Sequence, residues 1–164
     1  MRSPISVRGA TPGDAAAIGR VARASWRETY RDIFEPDFIE AFLARNYSEK
    51  ALAAAAEAAA AREGATFLVA ERDFEVVGYL EFGHGPRGPE LFRVYADPAH
   101  YGTGVGSALL AELHRLLAGR VTAYVLDVHS RNERGRAFYD RNGFVAVGGS
   151  DTPDCDLTLR RPLD

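Results

Sequence analysis

The segment Leu91-Phe92-Arg93-Val94-Tyr95-Ala96-Asp97-Pro98-Ala99-His100-Tyr101-Gly102-Thr103-Gly104-Val105-Gly106-Ser107-Ala108-Leu109-Leu110 constrains this chain more than any other. A β-branched and aromatic run is halted by Pro98 and followed by a glycine-rich turn. Apolar residues at Val105, Leu109, Leu113, Leu116 and Leu117 then fit one face of a helix. The order is strand, loop, helix. Gly102, Gly104 and Gly106 permit sharp turns and close approaches that a Cβ would forbid. A helix starting there presents unpaired N–H groups and the positive end of its dipole, so the turn suits an anion, most naturally a phosphate. The expected ligand is a phosphorylated cofactor.

Three cofactor loops share this outline. A dinucleotide fingerprint needs glycine at its sixth place, where Ser107 stands counting from Gly102, although Asp127 lies near the distance expected for its ribose-binding acid. A Gly-Lys-Ser/Thr phosphate loop needs a lysine that this stretch lacks. The third is the loop that receives the pyrophosphate arm of coenzyme A.

Here the chain resembles the GNAT superfamily of acyl-CoA-dependent N-acyltransferases, whose signature is Gln/Arg-x-x-Gly-x-Gly/Ala after a strand ending Val-x-Pro. The signature falls on Tyr101-Gly102-Thr103-Gly104-Val105-Gly106, preceded by Ala96-Asp97-Pro98. The family's second motif, Asn-x-x-x-x-x-Phe-Tyr-x-x-x-Gly-Phe, is complete as Asn132, Phe138, Tyr139, Gly143 and Phe144. The opening Ile5-Ser6-Val7-Arg8-Gly9-Ala10-Thr11-Pro12-Gly13-Asp14 is similar to the family's first strand and helix start, so the likeness covers nearly the whole chain. It implies an α/β fold with a mixed, largely antiparallel central sheet of about seven strands flanked by helices.

The length of 164 residues fits one domain spanning 1–164 with a sizeable core. A net charge of −3 offers no basic face for nucleic acid. Cys155 is alone, so no intrachain disulfide forms, which suits the cytoplasm. Pro4 and Arg8 interrupt the place where a signal peptide needs an apolar core, and no apolar run reaches membrane-spanning length. A soluble cytoplasmic protein is expected. The predominance of arginine over Lys50, the one lysine, reads as base-composition bias.

Residues 4–9 read as a strand, and Thr11-Pro12-Gly13-Asp14 as a capped helix start. Trp26, Tyr30, Phe34, Phe38 and Phe42 recur every four residues among Glu28, Asp32, Glu35 and Asp37. This is either a core stripe with a solvated acidic side or a wall for a cationic ligand. Ser48-Glu49-Lys50 opens an alanine-rich helix to about Arg62, with Gly64 as its cap. Residues 66–72 and 76–82 read as two strands joined at 73–75, residues 83–89 as a loop, and a central strand follows from Glu90. A helix from about Gly104 to Ala118, a buried strand over 121–128, a helix from near Asn132 to Asn142 begun by a Ser130/Glu133 capping box, and strands over 144–148 and 155–160 complete the chain.

The resemblance implies a reaction between a thioester and an amine. That chemistry needs a cofactor seat, a donor for the carbonyl oxygen, a base for the ammonium and an acid for the leaving thiolate. Main-chain amides of Tyr101, Gly102, Thr103, Gly104, Val105, Gly106 and Ser107 are expected to hold the pyrophosphate of acetyl-CoA. Tyr101 departs from the family's Gln or Arg and weakens that side-chain contact. By the same resemblance, Val94, Tyr95 and Ala96 meet the pantetheine arm, Val94 N–H receives the thioester oxygen, and Asn132 bonds the arm or caps its helix. Tyr139 is the expected acid, against the alternative of a packed aromatic. Glu90 is the leading base, with Glu81 and His84 behind it, and the alternative is a solvated strand-edge glutamate.

Arg134 and Arg136 are within reach of cofactor phosphates unless they are only solvated, and Cys155 has no histidine partner in the sequence that would make it a nucleophile. Trp26, Glu28, Tyr30 and Glu81 are the acceptor-site candidates. The four histidines lack metal-ligand spacing, so no metal is expected.

The implied activity is acetyl-CoA-dependent N-acetyl transfer, by direct attack in a ternary complex, to a primary amine of a small molecule or peptide. The alternative is a silent acyl-CoA-binding or sensing domain, with a Rossmann-like dehydrogenase third. Sheet edges near the C-terminus make a homodimer possible.

Overall fold

The computed structural model describes residues 2–150 and 155–164. Strand β1 (Ser6–Gly9) leads into a 3₁₀ turn, Pro12–Asp14, and then helix α1 (Ala15–Tyr30). The Asp14 carboxylate accepts from Thr11 N–H at 2.8 Å and from both terminal nitrogens of Arg8 at 2.8 Å, which ties the helix start to β1. Arg8 holds this carboxyl below its ordinary range, helped by Thr11. Ile18, Val21, Ala22, Ser25, Trp26 and Tyr30 form the buried face of α1 at helical spacing.

The four-residue aromatic period does not belong to one helix. It breaks after Tyr30, where α1 ends in a turn over residues 31–34, and α2 (Pro36–Asn46) begins at a proline, which starts a helix well. Trp26 and Phe42 therefore stack across two helices with ring centroids 4.2 Å apart. In α3 (Glu49–Ala61) the Ser48 hydroxyl caps the start, accepting from Ala51 N–H at 3.1 Å.

Strands β2 (Thr66–Arg72), β3 (Glu75–Gly85), β4 (Gly88–Ala96), β5 (Ala123–His129), β6 (Val145–Gly149) and β7 (Asp156–Pro162) join β1 in one seven-stranded sheet of order β1-β2-β3-β4-β5-β7-β6. Every neighbouring pair is antiparallel except β4 and β5. This mixed, open sheet matches the expected fold and is not the all-parallel sheet of a dinucleotide-binding domain.

Two local expectations are corrected. Residues 83–89 are not a loop: Gly83↔Glu90, His84↔Pro89 and Gly85↔Gly88 pair across a two-residue turn, and glycine-rich composition hid a continuous ladder. The helix α5 (Glu133–Arg141) is capped by Asn132, whose side chain accepts from Gly135 N–H at 2.9 Å, and not by Ser130.

One core lies between the sheet and α4 (Val105–Leu117), built on Leu80, Phe82, Leu91, Leu109, Leu113 and Leu126. The other packs α1, α2 and α3 on the opposite face through Ile18, Val21, Trp26, Leu52, Val69 and Tyr79. Gly78 fixes how closely α4 approaches: a Cβ there would stand 2.5 Å from Val105 Cγ1 and 3.1 Å from the Tyr95 carbonyl oxygen. The start of α4 is thereby pressed onto β3 and β4. Among the described residues no helix is long and apolar enough to cross a membrane.

The β2–β3 turn is strained. Asp73 and Phe74 have φ of 53° and 65°, the left-handed pair of a two-residue hairpin turn, and Phe74 is fully exposed with nothing to hold it there. A bulky residue in that region costs about 1–2 kcal/mol, and glycine recovers most of it less some chain entropy. Phe74→Gly is expected to raise the melting midpoint by about 2–4 °C, and an unchanged or lower midpoint in a thermal scan contradicts this.

Candidate active site

The site begins where β4 and β5 part. Their ladder contains one pair, Glu90↔Val125, after which β4 runs on to Ala96 without a partner on that side. Asp97 N–H donates to Val77 C=O at 2.8 Å, toward β3. Since strand amides alternate sides, the amides of Val94 and Ala96 point the other way, into the gap.

The gap opens into a cleft of about 340 Å³ whose lining includes Val94, Tyr95, Ala96, Asn132, Phe138 and Tyr139. Tyr101, Gly102, Gly104, Val105, Gly106 and Ser107 line its other end. Gly102 and Gly104 have φ of 72° and 94°, the left-handed conformation that glycine supplies without strain, and Gly104 caps α4. The helix start thus faces the cleft with free amides. Gly106 is needed for another reason: a Cβ there would lie 2.8 Å from the ring of Phe138, so its absence brings α4 and α5 together.

Tyr139 is fixed by its ring neighbours, Phe138 at 5.4 Å and Phe144 at 5.1 Å between centroids. Burial raises its phenol far above the ordinary range, with a smaller contribution from nearby Tyr30. The Tyr30 hydroxyl itself shares a 2.9 Å hydrogen bond with the Tyr95 hydroxyl, and both residues line the cleft. At the phosphate end the Arg134 guanidinium lies 4.2 Å over the Tyr101 ring, so a cation from α5 covers the tyrosine at the signature's first position.

The other expected site residues are placed elsewhere. Thr103 lies behind the loop, donating to the His100 carbonyl at 2.7 Å. Glu90 is not in the cleft lining; it sits where β4 and β5 meet, 3.4 Å from Arg87. Glu81 is paired with Arg93 at 2.8 Å, and Glu28 with Arg31 at 3.4 Å near the α1 terminus. Trp26 is in the core, 7% exposed. Arg136 donates to the Ser130 carbonyl at 2.8 Å, which leaves Arg134 as the arginine of that pair at the cleft.

Sequence reasoning missed six cleft residues in this role, Thr29, His100, Asp127, Val128, Gly135 and Arg141. Asp127 accepts from Arg87 at 3.0 and 3.1 Å and from the Thr158 hydroxyl at 2.8 Å. Its position facing away from the α4 core alternates with buried Leu126 and Val128, a period-2 cue that was present in the sequence.

The buried phenols carry a consequence for stability. Burial pushes Tyr30 up to about 12 and holds Tyr79, Tyr95, Tyr124 and Tyr139 above the usual range, whereas in the unfolded chain each ionises near pH ~10. Above that pH the unfolded chain binds fewer protons than the folded one, so stability falls as pH rises. The contribution is complete below about pH 10 and is lost through about pH 12. The urea midpoint should be flat to about pH 9.5 and then drop, with the tyrosinate absorbance of these five phenols appearing together with unfolding. Ionisation of these five phenols near pH ~10 in a folded chain contradicts the burial argument.

The Acetyltransferase (GNAT) family model matches residues 24–144. Spermidine N(1)-acetyltransferase of Thermoplasma acidophilum is 28% identical over 161 residues, 98% of this chain and 98% of its own. The 5-NmdU N-acetyltransferase of Pseudomonas phage PaMx11 is 33% identical over 82 residues, 50% of this chain and 59% of its own. Among solved structures, the PaiA N-acetyltransferase of Thermoplasma acidophilum in complex with coenzyme A superposes with a TM-score of 0.88 at 28% identity, covering 97% of this chain and 99% of that one.

Proposed function

The chain belongs to the GNAT family of acetyltransferases, which use acetyl-CoA, and from that premise we propose that it acetylates a primary amine of a polyamine by direct attack of the bound amine on the thioester. The observation that carries this reading is the juxtaposition, in one cleft, of the unpaired Val94 and Ala96 amides with the Tyr139 phenol. The polyamine class rests on the relative named for spermidine, which aligns over nearly the whole chain.

Each residue then has a task. The amides of Gly102 to Ser107 receive the pyrophosphate, helped by the dipole of α4. The Val94 and Ala96 amides hold the extended arm as a strand would, and Val94 N–H meets the carbonyl oxygen, where negative charge grows during attack. Asn132, already engaged by Gly135 N–H through its side-chain oxygen, keeps its NH₂ for the arm. Tyr139 stays protonated because burial disfavours its phenolate, and gives its proton to the departing sulfur.

The ammonium must lose a proton before it attacks. Asp127 is the carboxylate at the cleft, and Arg87 joins it to Glu90, so the two acids form one group with a shared cation. We assign proton removal to this group, with Asp127 nearer the amine. Asp127→Asn is accordingly expected to lower kcat/KM by about tenfold or more, and Glu90→Gln by less. The reverse order in steady-state rates overturns the assignment. The exposed Val145 and Val147 on edge strand β6 offer a surface for pairing with a second copy of the chain.

The reading is tested by thiol release from acetyl-CoA against spermidine, a monoamine, an amino acid and a peptide N-terminus. Release that depends on spermidine, with one acetyl group gained by that amine, is expected. Release only with peptides would remove the polyamine assignment, and no release with any amine would favour the silent acyl-CoA-binding alternative.

A further inference from the structure

Arg72, the last residue of β2, is only 8% exposed, yet its recorded partners are all neutral. Its Nε donates to the Ser3 carbonyl at 2.9 Å, and one terminal nitrogen donates to His100 Nδ1 at 3.1 Å and Thr103 Oγ1 at 3.0 Å. Among the described residues it forms no ion pair. A guanidinium is charged at any working pH and only donates hydrogen bonds. A buried charge without a counter-charge is costly, and neutral dipoles offset only part of that cost.

Two of the three partners belong to the glycine loop. Thr103 stands between Gly102 and Gly104, both of which line the cleft, and its hydroxyl passes the contact on to the His100 carbonyl at 2.7 Å. His100 lines the cleft as well. Because arginine cannot accept, His100 Nδ1 must, which leaves the ring hydrogen on Nε2 of a residue that lines the cleft. The motif's first position, meanwhile, is the uncharged Tyr101.

We infer that Arg72 is a positioning residue for the pyrophosphate of acetyl-CoA. From behind the loop it fixes Thr103 and His100 in the conformation that meets an anion, and the bound anion supplies the counter-charge its burial lacks. The inference rests on the acetyl-CoA reading of the cleft. It implies that the end of β2 adds a positive charge behind the loop, in addition to the Arg134 guanidinium that covers Tyr101 at the first signature position.

The test compares acetyl-CoA with S-acetyl-pantetheine, which keeps the thioester and arm but has no pyrophosphate, in the unaltered chain, Arg72→Met and Arg72→Lys. The ratio of kcat/KM for the two donors should fall about tenfold or more in Arg72→Met and recover in part in Arg72→Lys. A purely structural role lowers both donors alike, and an unchanged ratio overturns the inference. Should Arg72→Met not fold, Thr103→Ala decides: it removes one loop contact of the arginine, and a ratio lowered about threefold supports the inference while an unaltered ratio overturns it. If the unaltered chain uses neither donor, the acetyl-CoA reading fails and this inference with it. A chain that prefers acetyl-CoA yet keeps that preference without Arg72 defeats the inference alone.

Discussion

Replacing Tyr139 by phenylalanine should lower kcat about 10²–10³-fold while acetyl-CoA affinity stays within about threefold. Only a hydroxyl is lost. The ring keeps its edge contacts with Phe138 and Phe144, so the cleft wall stays in place and the defect is confined to proton transfer. Leaving-group protonation develops in the transition state, which is why the loss falls on kcat and not on cofactor binding. Since burial keeps this phenol protonated well beyond the ordinary phenol range, no decline of rate below about pH 10 should trace to it. Rates should instead rise with pH as more of the acceptor amine becomes neutral. Unchanged turnover in Tyr139→Phe with acetyl-CoA still bound assigns the residue to packing alone.

The double substitution Gly102→Ala with Gly104→Ala should weaken acetyl-CoA binding by about 10–100-fold, with kcat at saturating cofactor altered far less. No steric collision is involved. A Cβ at Gly102 meets nothing within 4 Å, and one at Gly104 reaches only Ile5 Cδ1 at 4.0 Å. What the alanines change is φ: at 72° and 94° each costs about 1–2 kcal/mol, and the loop relieves that by turning its amides away from the cleft. A cofactor titration that finds the affinity intact means that the loop geometry does not hold the phosphates.

How much of this was legible in the sequence depends on how local each feature is. The glycine loop and the Asn132 to Phe144 motif are each contiguous, with glycines, a cap and a helix period that state their own backbone geometry, while their meeting in one cleft was implied by the family resemblance. The place of Val94 and Ala96 against the cofactor arm was expected only through the family resemblance. No residue in β4 or β5 signals that pairing will stop after Glu90 and Val125, because a ladder is a property of two segments at once. The same reason hid the carboxylates. Glu90, Glu81 and Glu28 are plausible by chain position but stand outside the cleft lining, whereas Asp127, itself paired with Arg87, reaches the cleft from the far side of the gap.

The aromatic period misled in a different way. Its spacing is helical across a turn over residues 31–34 and a proline that starts the second helix, so a sequence stripe became a cluster between helices, and Trp26 took the core alternative. Arg72 was invisible for the opposite reason: an arginine at the end of a strand is ordinarily solvated, and only the folded chain shows it buried beneath the phosphate loop.

The central claim is that acetyl-CoA and amine occupy the cleft together and that the acetyl group passes directly between them. Initial rates measured with acetyl-CoA and spermidine both varied test this most directly. The account predicts double-reciprocal lines that intersect, with no acetylated protein found by mass spectrometry after incubation with acetyl-CoA alone. Parallel lines, together with a protein that carries an acetyl group and passes it to spermidine, would contradict direct transfer and require a nucleophile that this account does not contain.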